Sequence, residues 1–393
     1  MTVVRPENVH QARLMRRLRD DGPRSRAELG DAVALSRSKL AAEIDRLVDR
    51  GLLDTDGYAD SRGGRRSAIV RVGRRIRFAG IDIGATSVDV ALTDGELHVL
   101  SHRAAPVDVR DGPDAVIARA LAVLGELRDE DDAPLAGAGV GVPGPVSFAD
   151  GVPVSPPIMP GWNRFPVRDT FAAALGCPVL VDNDVNIMAL GEKHAGVARS
   201  VDDFLFVKIG TGIGCGIVVR GEVYRGVNGC AGDIGHMSVD EHGPVCACGN
   251  IGCLEAFFGG AALRTQALTA ARTGRSAVLA RRLAEAGDLS AVDVTHAASA
   301  GDGVAVAMIR EGGQRLGHAL AGLVSFVNPG LVVIGGGVAS IGHALLAEIR
   351  GAVYRTSLPL ATGNLPITLS ELGGRAGVVG AVRLASDHLY RAA

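Results

Sequence analysis

Three cysteines and one histidine lie close together in the sequence at a spacing that suits a metal ion. Cys246, Cys248 and Cys253 fall within eight residues, and His236 precedes the first of them by ten. Three thiolates and one imidazole complete the tetrahedral coordination of zinc and leave no position open for a catalytic water. The spacing therefore predicts a structural zinc site, the alternative being three unrelated buried thiols.

The sequence around these residues resembles a known family. The segments Gly232–His236 (GDIGH) and Cys246–Glu255 (CACGNIGCLE) are similar to the signature of the ROK family of repressors, open reading frames and kinases. The resemblance covers nearly the whole chain. It implies an α/β protein in which an N-terminal winged helix-turn-helix precedes a two-lobed, ribonuclease-H-like sugar-kinase body of the actin and hexokinase type.

The resemblance also implies a sugar site in the cleft between the two lobes. Asn183 and Asp184 stand where a predicted strand meets a predicted helix, and they match the family's sugar motif. In a kinase, Asp184 would be the general base for the attacking hydroxyl. The alternative is that Asp184 only caps the helix that follows it. The implied sugar-binding residues are Asn183, Asp184, Asp233, His236 and Glu255.

Three glycine-rich turns resemble the phosphate and adenosine motifs of the family. Glycine lets a backbone approach phosphate oxygens, threonine donates a hydrogen bond, and aspartate can hold a hydrated Mg²⁺. Each turn taken singly is compatible with an ordinary turn, and the three in this order favour a nucleotide site. ATP and Mg²⁺ are expected only if kinase activity is retained. The residues concerned are Asp82, Gly84, Thr86, Gly210, Thr211, Gly212, Gly214, Gly335 and Gly336.

Three positions depart from the pattern of the kinases. Asp233 replaces the usual glutamate and shortens the reach to a sugar hydroxyl by one methylene. Pro157 lies near a sugar-contacting asparagine of the kinases, and Ser87 stands where they often have lysine. These departures bear on sugar identity and phosphoryl transfer, and they leave Asp184 and the phosphate glycines in place.

Residues 1–77, called the head below, show the order helix, helix, turn, helix and basic hairpin. The first predicted helix, residues 9–20, has Val9, Leu14 and Leu18 on its apolar face and arginines on its other faces. Ser25 with Glu28 forms a capping box for the second helix. The third is predicted to begin after Ser36 and to end at Gly51, and residues 52–72 to form the hairpin. This order is typical of a winged helix-turn-helix.

The charge of the head favours a polyanionic partner. It carries 18 basic and 11 acidic side chains, a net of +7, whereas the rest of the chain carries −9. The alternative is a chance excess of solvated arginine. The third helix would place its first residues against base edges or phosphates, and the wing would lie near the DNA backbone. The predicted DNA-binding residues are Arg37, Ser38, Lys39, Arg62, Arg65 and Arg66.

The remainder of the chain contains an internal repeat. Residues 78–84 (FAGIDIG) resemble residues 204–210 (FLFVKIG), and each copy is followed by a second apolar strand and a turn. Two copies of one hairpin indicate two α/β lobes. The alternative is that the two segments are similar only because β-hairpins in general have similar sequences. The predicted domains are residues 1–77, residues 78–185 with the helix of 376–393 packed back on them, and residues 186–375 with the zinc loop.

These observations together predict a sugar-responsive transcriptional regulator, acting as a repressor. It would bind double-stranded operator DNA as a homodimer or homotetramer. The alternative is an ATP-dependent kinase of hexoses or N-acetylhexosamines. Apolar residues make up 47% of the chain and charged residues 21%, which is typical of a globular protein. No apolar run suits a membrane helix and no signal peptide is evident, so we expect a cytoplasmic protein without a membrane partner.

Overall fold

A computed structural model describes residues 5–58, 68–128 and 133–392 of the chain. Its contacts divide the chain into two compact units. The first unit comprises Met1–His194 and Gly377–Ala393, and the second comprises Ala195–Ala376. The head therefore belongs to the same unit as the first part of the body and the C-terminal helix.

The strands and helices of the described residues alternate along most of the chain. The strands are β1 (Arg24–Ser25), β2 (Leu53–Tyr58), β3 (Ala68–Val72), β4 (Arg77–Ile83), β5 (Ser87–Thr93), β6 (Val99–Pro106), β7 (Leu135–Val142), β8 (Val146–Ser147), β9 (Val152–Pro153), β10 (Val179–Asn183), β11 (Phe204–Ile209), β12 (Ile213–Val219), β13 (Glu222–Val223), β14 (Leu331–Gly335) and β15 (Ile367–Leu369). The α-helices are α1 (Val9–Asp21), α2 (Arg26–Val33), α3 (Arg37–Asp49), α4 (Pro113–Arg128), α5 (Val167–Leu175), α6 (Asp184–Ala195), α7 (Leu254–Phe258), α8 (Gly260–Arg272), α9 (Ala277–Ala286), α10 (Ala291–Ser299), α11 (Gly303–Val327), α12 (His343–Thr356), α13 (Pro359–Thr362) and α14 (Ala376–Leu389).

The head is a winged helix-turn-helix, as the sequence predicts. Helices α1 to α3 are followed by β2 and β3, which join β1 in a sheet of order β1-β3-β2. The predicted capping box of Ser25 and Glu28 starts α2, and Ser36 accepts a hydrogen bond from the Lys39 N–H at the start of α3. A side-chain oxygen at a helix N-cap satisfies a backbone donor that the helix cannot. The tip of the hairpin, residues 59–67, lies outside the described residues.

The first helix differs from its predicted pattern at two positions. Val9 is 67% exposed, whereas Arg19 is 3% exposed and belongs to the interior. The apolar core of the head extends beyond the head itself, and it includes Phe78 of β4 and Tyr390 next to α14. A helix that packs on a second side also buries residues outside its apolar face. Arg19, which was predicted to lie on another face than the apolar residues, is therefore buried.

The body part of the first unit is built on a mixed sheet of order β10-β7-β4-β5-β6. Strand β4 pairs antiparallel with β5 and parallel with β7. Helix α14 lies directly against this sheet, because a Cβ at Gly139 would come within 1.9 Å of the carbonyl oxygen of Ala381. The sheet ends at β10, from which the chain passes straight into α6.

The second unit repeats this arrangement. Its sheet has the order β13-β12-β11-β14-β15, in which β11 pairs antiparallel with β12 and parallel with β14. The two hairpins predicted as a repeat are thus equivalent elements of two mixed-sheet lobes. Residues 261–305, predicted as helical, form most of α8, α9 and α10. Among the described residues, no helix combines the length and apolarity that crossing a membrane requires.

Candidate effector site and metal centre

The four predicted metal ligands converge in the second unit. His236 ends a 3₁₀ turn, Cys253 immediately precedes α7, and Cys246 and Cys248 lie on the loop between them. Isolated bridges that join residues 238 to 253 and 245 to 251 hold this loop together. All four ligand atoms lie within 4.8 Å of one another. Residues separated in sequence therefore form one His/Cys cluster.

The distances in the cluster suit tetrahedral zinc. The Sγ atoms of Cys248 and Cys253 are 3.7 Å apart, and the Sγ of Cys246 is 3.5 Å from Nδ1 of His236. Zn–S bonds of about 2.3 Å at tetrahedral angles place two sulfurs roughly 3.8 Å apart. Burial, followed by hydrogen bonding with the neighbouring thiols, raises the pKa of Cys253 to about 12. A raised pKa means that this buried thiol loses its proton only when a cation stabilises the thiolate. The four donor atoms are therefore consistent with a structural zinc site.

The other nitrogen of His236 faces a carboxylate. Its Nε2 lies 3.9 Å from Oδ1 of Asp233, whereas Nδ1 lies on the side of the thiols. If Nδ1 binds a metal, the imidazole presents Nε2 as a donor in a fixed orientation. Burial raises the pKa of Asp233, and the neighbouring His236 offsets part of that effect. The metal loop thus positions a polar pair outside the thiol cluster.

Glu255 joins this polar pair from the first turn of α7. Its Oε2 accepts a hydrogen bond of 2.9 Å from the backbone N–H of Ile213, which fixes the carboxylate. Burial raises the pKa of Glu255, while that hydrogen bond and His236 lower it and Asp233 raises it further. Two carboxylates and an imidazole near one another can accept and donate hydrogen bonds to the hydroxyls of a polyol.

The glycine-rich turns lie at the predicted ends of strands, and packing accounts for two of their glycines. A Cβ at Gly212 would come within 2.1 Å of Oε2 of Glu255, so a larger residue there would displace the Glu255 carboxylate. Gly336 has φ +87 and lies against the carbonyl oxygen of Ile209. In the first unit, Asp82 is buried at the end of β4 and Thr86 is exposed at the following turn. The nucleotide role of these turns stays a prediction.

The predicted sugar motif of the first unit lies at the start of α6. Oδ1 of Asn183 accepts hydrogen bonds from the backbone N–H groups of Val185 and Asn186, and its Nδ2 donates to the carbonyl oxygen of Gly144. Asn183 is therefore the cap, and Asp184 is the first helical residue, 4% exposed. The alternative in which Asp184 caps the helix was wrong. Whether Asn183 and Asp184 share a ligand with the cluster of the second unit stays a prediction.

The predicted DNA-binding residues of α3 are all exposed. Arg37, Ser38 and Lys39 occupy its first turn, and Nζ of Lys39 lies 3.0 Å from Nε2 of His10 in α1. Sequence reasoning did not identify His10, because its nearness to Lys39 depends on how α1 and α3 pack. Arg62, Arg65 and Arg66 lie outside the described residues.

Comparison with known proteins separates regulators from kinases by coverage. A family model described as the ROK family matches residues 78–388. A xylose repressor of Caldicellulosiruptor bescii is 27% identical over 384 residues, which cover 96% of this chain and 95% of the repressor. The crystal structure of a ROK family transcriptional regulator, a homolog of the E. coli MLC protein, has a TM-score of 0.81 at 27% identity and covers 97% of this chain and 96% of its own.

The crystal structure of a ROK family glucokinase from Streptomyces griseus, in complex with glucose and AMPPNP, has a TM-score of 0.70 at 30% identity. It covers 79% of this chain and 99% of its own. The two regulators thus match nearly the whole chain, whereas the glucokinase leaves about a fifth of it unmatched.

Proposed function

The chain belongs to the ROK family, and we propose that it is a sugar-responsive transcriptional repressor that binds operator DNA through its head. The observation that carries the proposal is the extent of the similarity. The xylose repressor and the regulator structure match 96% and 97% of this chain, and only a match that includes the head reaches such coverage. A kinase-type body with an added DNA-binding head is the organisation of a regulator.

The DNA contact is assigned to the exposed start of α3. In a helix-turn-helix the N-terminal residues of the recognition helix reach base edges in the major groove. Arg37, Ser38 and Lys39 occupy that place, and the +7 charge of the head suits a phosphate backbone. Because one such module reads few base pairs, we propose a homodimer or homotetramer on paired half-sites. An operator-binding protein acts where the chromosome is, and the predicted cytoplasmic location follows from this partner.

The effector is assigned to sugars because the polar residues can satisfy hydroxyl groups. Asp233, His236 and Glu255 of the second unit and Asn183 and Asp184 of the first are the proposed contacts. The four-ligand cluster is proposed to hold one structural Zn²⁺ that fixes Asp233 and His236, with no exchangeable position for a reaction. Mg²⁺ and ATP would bind only in the kinase alternative.

A mobility-shift assay with the promoter DNA beside the protein's own gene tests the proposal. We expect binding that changes on addition of one of D-xylose, D-glucose or N-acetyl-D-glucosamine. Arg37→Ala should weaken specific binding by about 1–3 kcal/mol. The control is Arg46→Ala, which removes an exposed arginine further along the same helix. A protein that binds no such fragment at low salt yet phosphorylates a sugar with ordinary turnover would establish the kinase alternative.

Calorimetry tests the sugar contact of the first unit. Asp184→Ala should abolish measurable sugar binding, because the carboxylate accepts charge-assisted hydrogen bonds that alanine cannot replace. Asp169→Ala is the control, since Asp169 is an exposed aspartate in the first turn of α5. Unchanged affinity in Asp184→Ala would show that Asp184 makes no contact with the sugar.

A further inference from the structure

A cluster of charged side chains joins the head to two helices of the body within the first unit. Its centre is Arg19 of α1, whose side chain is 0% exposed. Arg19 donates hydrogen bonds to Asp387 at 2.6 Å and to Ser386 at 2.8 Å, both in α14. Its guanidinium also lies 5.8 Å from the ring centroid of Tyr390, whose hydroxyl donates to the carbonyl oxygen of Gly95. The first helix of the head is thus fixed to the C-terminal helix.

Arg383 of α14 extends the cluster to a third helix. Its Nη1 donates to Asp20 of α1 at 2.9 Å and lies 3.1 Å from Nδ1 of His194 in α6. Its Nε donates to Asp387 at 3.0 Å. Burial, followed by the charges of Arg383 and Arg19, lowers the pKa of His194 to about 4, so the imidazole is neutral at pH 7 and its Nδ1 can accept from Arg383. One guanidinium therefore contacts α1, α6 and α14 together.

Helix α6 connects this cluster to the start of the predicted sugar motif. Residues 184–192 of the helix are all buried. At about 1.5 Å per residue, Asp184 and His194 are separated by roughly 15 Å along the axis. A helix packed on all sides moves as a rigid element, so a displacement at its capped start also shifts its end. Asn183 and His194 lie at opposite ends of this element.

We propose that α6, Arg383 and Asp20 form a mechanical link through which a ligand at the start of α6 repositions α1 and thereby changes the DNA affinity of the head. The inference rests on the proposed function, which identifies the ligand as a sugar and the affected activity as operator binding. A ligand shifts such an equilibrium only by its differential affinity for the two positions of α6. Arg383 and Asp20 are positioning residues in this scheme and contact neither sugar nor DNA.

The link is tested by the effect of sugar on operator binding in Arg383→Gln. The quantity measured is the ratio of operator dissociation constants with and without D-xylose, D-glucose or N-acetyl-D-glucosamine, each added separately. Allosteric ratios are typically about 5–150-fold, and we expect the ratio to fall below about twofold in this variant. Sugar affinity and sugar-free operator affinity should stay those of the unsubstituted protein. Arg264→Gln, which breaks a two-oxygen ion pair with Asp288 in the second unit, is the control and should keep the ratio.

A second variant guards against misfolding of Arg383→Gln. Asp20→Asn removes the charge that Arg383 meets in α1, at a side chain that is 40% exposed. We expect that the ratio of operator dissociation constants with and without sugar again falls below about twofold. A folded variant of either kind that keeps the full effect of sugar on operator binding would overturn the proposal.

Hydrogen exchange tests the link without sugar or DNA. Asn183→Ala removes the cap of α6, and we expect faster amide exchange in α1 of the full-length protein. A coupling between α6 and α1 in the usual allosteric range corresponds to an increase of about fivefold or more. In a protein that already carries Arg383→Gln, Asn183→Ala should leave the amide exchange rates of α1 unchanged. Unaltered exchange in α1, or effects of the two substitutions that simply add, would overturn the link. A protein that fails to bind operator or to respond to sugar would instead count against the proposed function.

Discussion

Two polar clusters among the described residues are built from opposite kinds of contact. The His/Cys cluster joins residues 236–253, which lie within a single loop that ends at the start of α7. The cluster around Arg19 joins α1, α6 and α14, whose residues lie up to 368 positions apart in the chain. Both bury polar atoms and satisfy them, but the first depends on spacing along the chain and the second on how three helices pack.

This difference decides what each cluster can do. With the proposed ion bound, the loop of the His/Cys cluster would be stabilised independently of distant elements and would orient Asp233 and His236. A cluster assembled from three helices stabilises their mutual placement, and it is disturbed when any one of them moves. The first arrangement suits a fixed binding surface, and the second suits the transmission of a change.

Removal of one metal ligand should have a greater effect than any other substitution considered. Structural zinc contributes roughly 10–16 kcal/mol in small zinc domains, and Cys248→Ser removes one of four ligands. We expect one zinc per chain by elemental analysis of the unsubstituted protein, its loss in the variant, and a clear drop in thermal stability. Cys230→Ser is the matched control, since Cys230 is exposed and lies outside the cluster. A metal-free protein of unchanged stability would contradict the assignment.

Substitution at the centre of the other cluster should be the next most harmful. Arg19→Met keeps the length of the side chain but removes the hydrogen bonds of Arg19 to Asp387 and Ser386, and the loss of hydrogen bonds to a charged group costs about 1.5–3 kcal/mol. Urea unfolding of the variant measures the loss. Arg16→Met changes an exposed arginine of the same helix and should alter stability by less than about 0.5 kcal/mol. Equal effects of the two substitutions would show that Arg19 is not a buried anchor.

The sequence predicted the local cluster and missed the long-range one for a physical reason. The His/Cys cluster, the capping box of Ser25 and the two equivalent hairpins all depend on residues near each other in the chain, and the structure contains all three. That the cluster binds zinc stays a prediction. The burial of Arg19 was not predicted, because helical periodicity identifies a single apolar face and nothing in residues 1–77 indicates that α14 covers a second side of α1. The same limit explains His10, whose contact with Lys39 requires the packing of α1 on α3.

Residue roles at the start of α6 were only partly predictable. The sequence predicted the strand-to-helix junction at Asn183. It did not predict that Asn183 rather than Asp184 caps the helix, because Asn and Asp are equally good caps in isolation. The structure favours Asn183 because its amide also donates to the carbonyl oxygen of Gly144, a contact from another segment. Gly212 was predicted from a phosphate motif, whereas in the structure its lack of a side chain also leaves room for the Glu255 carboxylate.

Lowering the pH should weaken the long-range cluster specifically. His194 is held neutral by burial and by Arg383 and Arg19, with its pKa lowered to about 4, whereas an unfolded histidine has a pKa near 6.5. The unfolded chain therefore takes up a proton between these values that the folded chain does not, and stability present above pH 6.5 is lost as the pH falls towards 4. The loss between pH 7 and pH 5 is about 2 kcal/mol.

Urea unfolding at several pH values measures this slope. His194→Gln carries no group that titrates in this window, so its stability should depend less on pH by that amount. Burial alone would raise the pKa of Asp387, but Arg19 and Arg383 lower it below its ordinary value, and its contribution is lost only at pH values below about 4. If the free energy of unfolding of His194→Gln depends on pH as strongly as that of the unsubstituted protein, then other groups cause the pH dependence.

The capping box of α2 is both local and near the surface, and its removal should have the mildest consequence. Oγ of Ser25 accepts from the Glu28 N–H, and Oε2 of Glu28 accepts from the Ser25 N–H at 2.8 Å. Ser25→Ala leaves the backbone N–H of Glu28 without its acceptor, and we expect a loss of about 1 kcal/mol in urea unfolding. Ser38→Ala, at an exposed position inside the first turn of α3, should change stability by less than about 0.5 kcal/mol. A loss from Ser25→Ala as large as that from Arg19→Met would mean that the local start of α2 matters as much to the stability of the head as the contacts of α1 with α14.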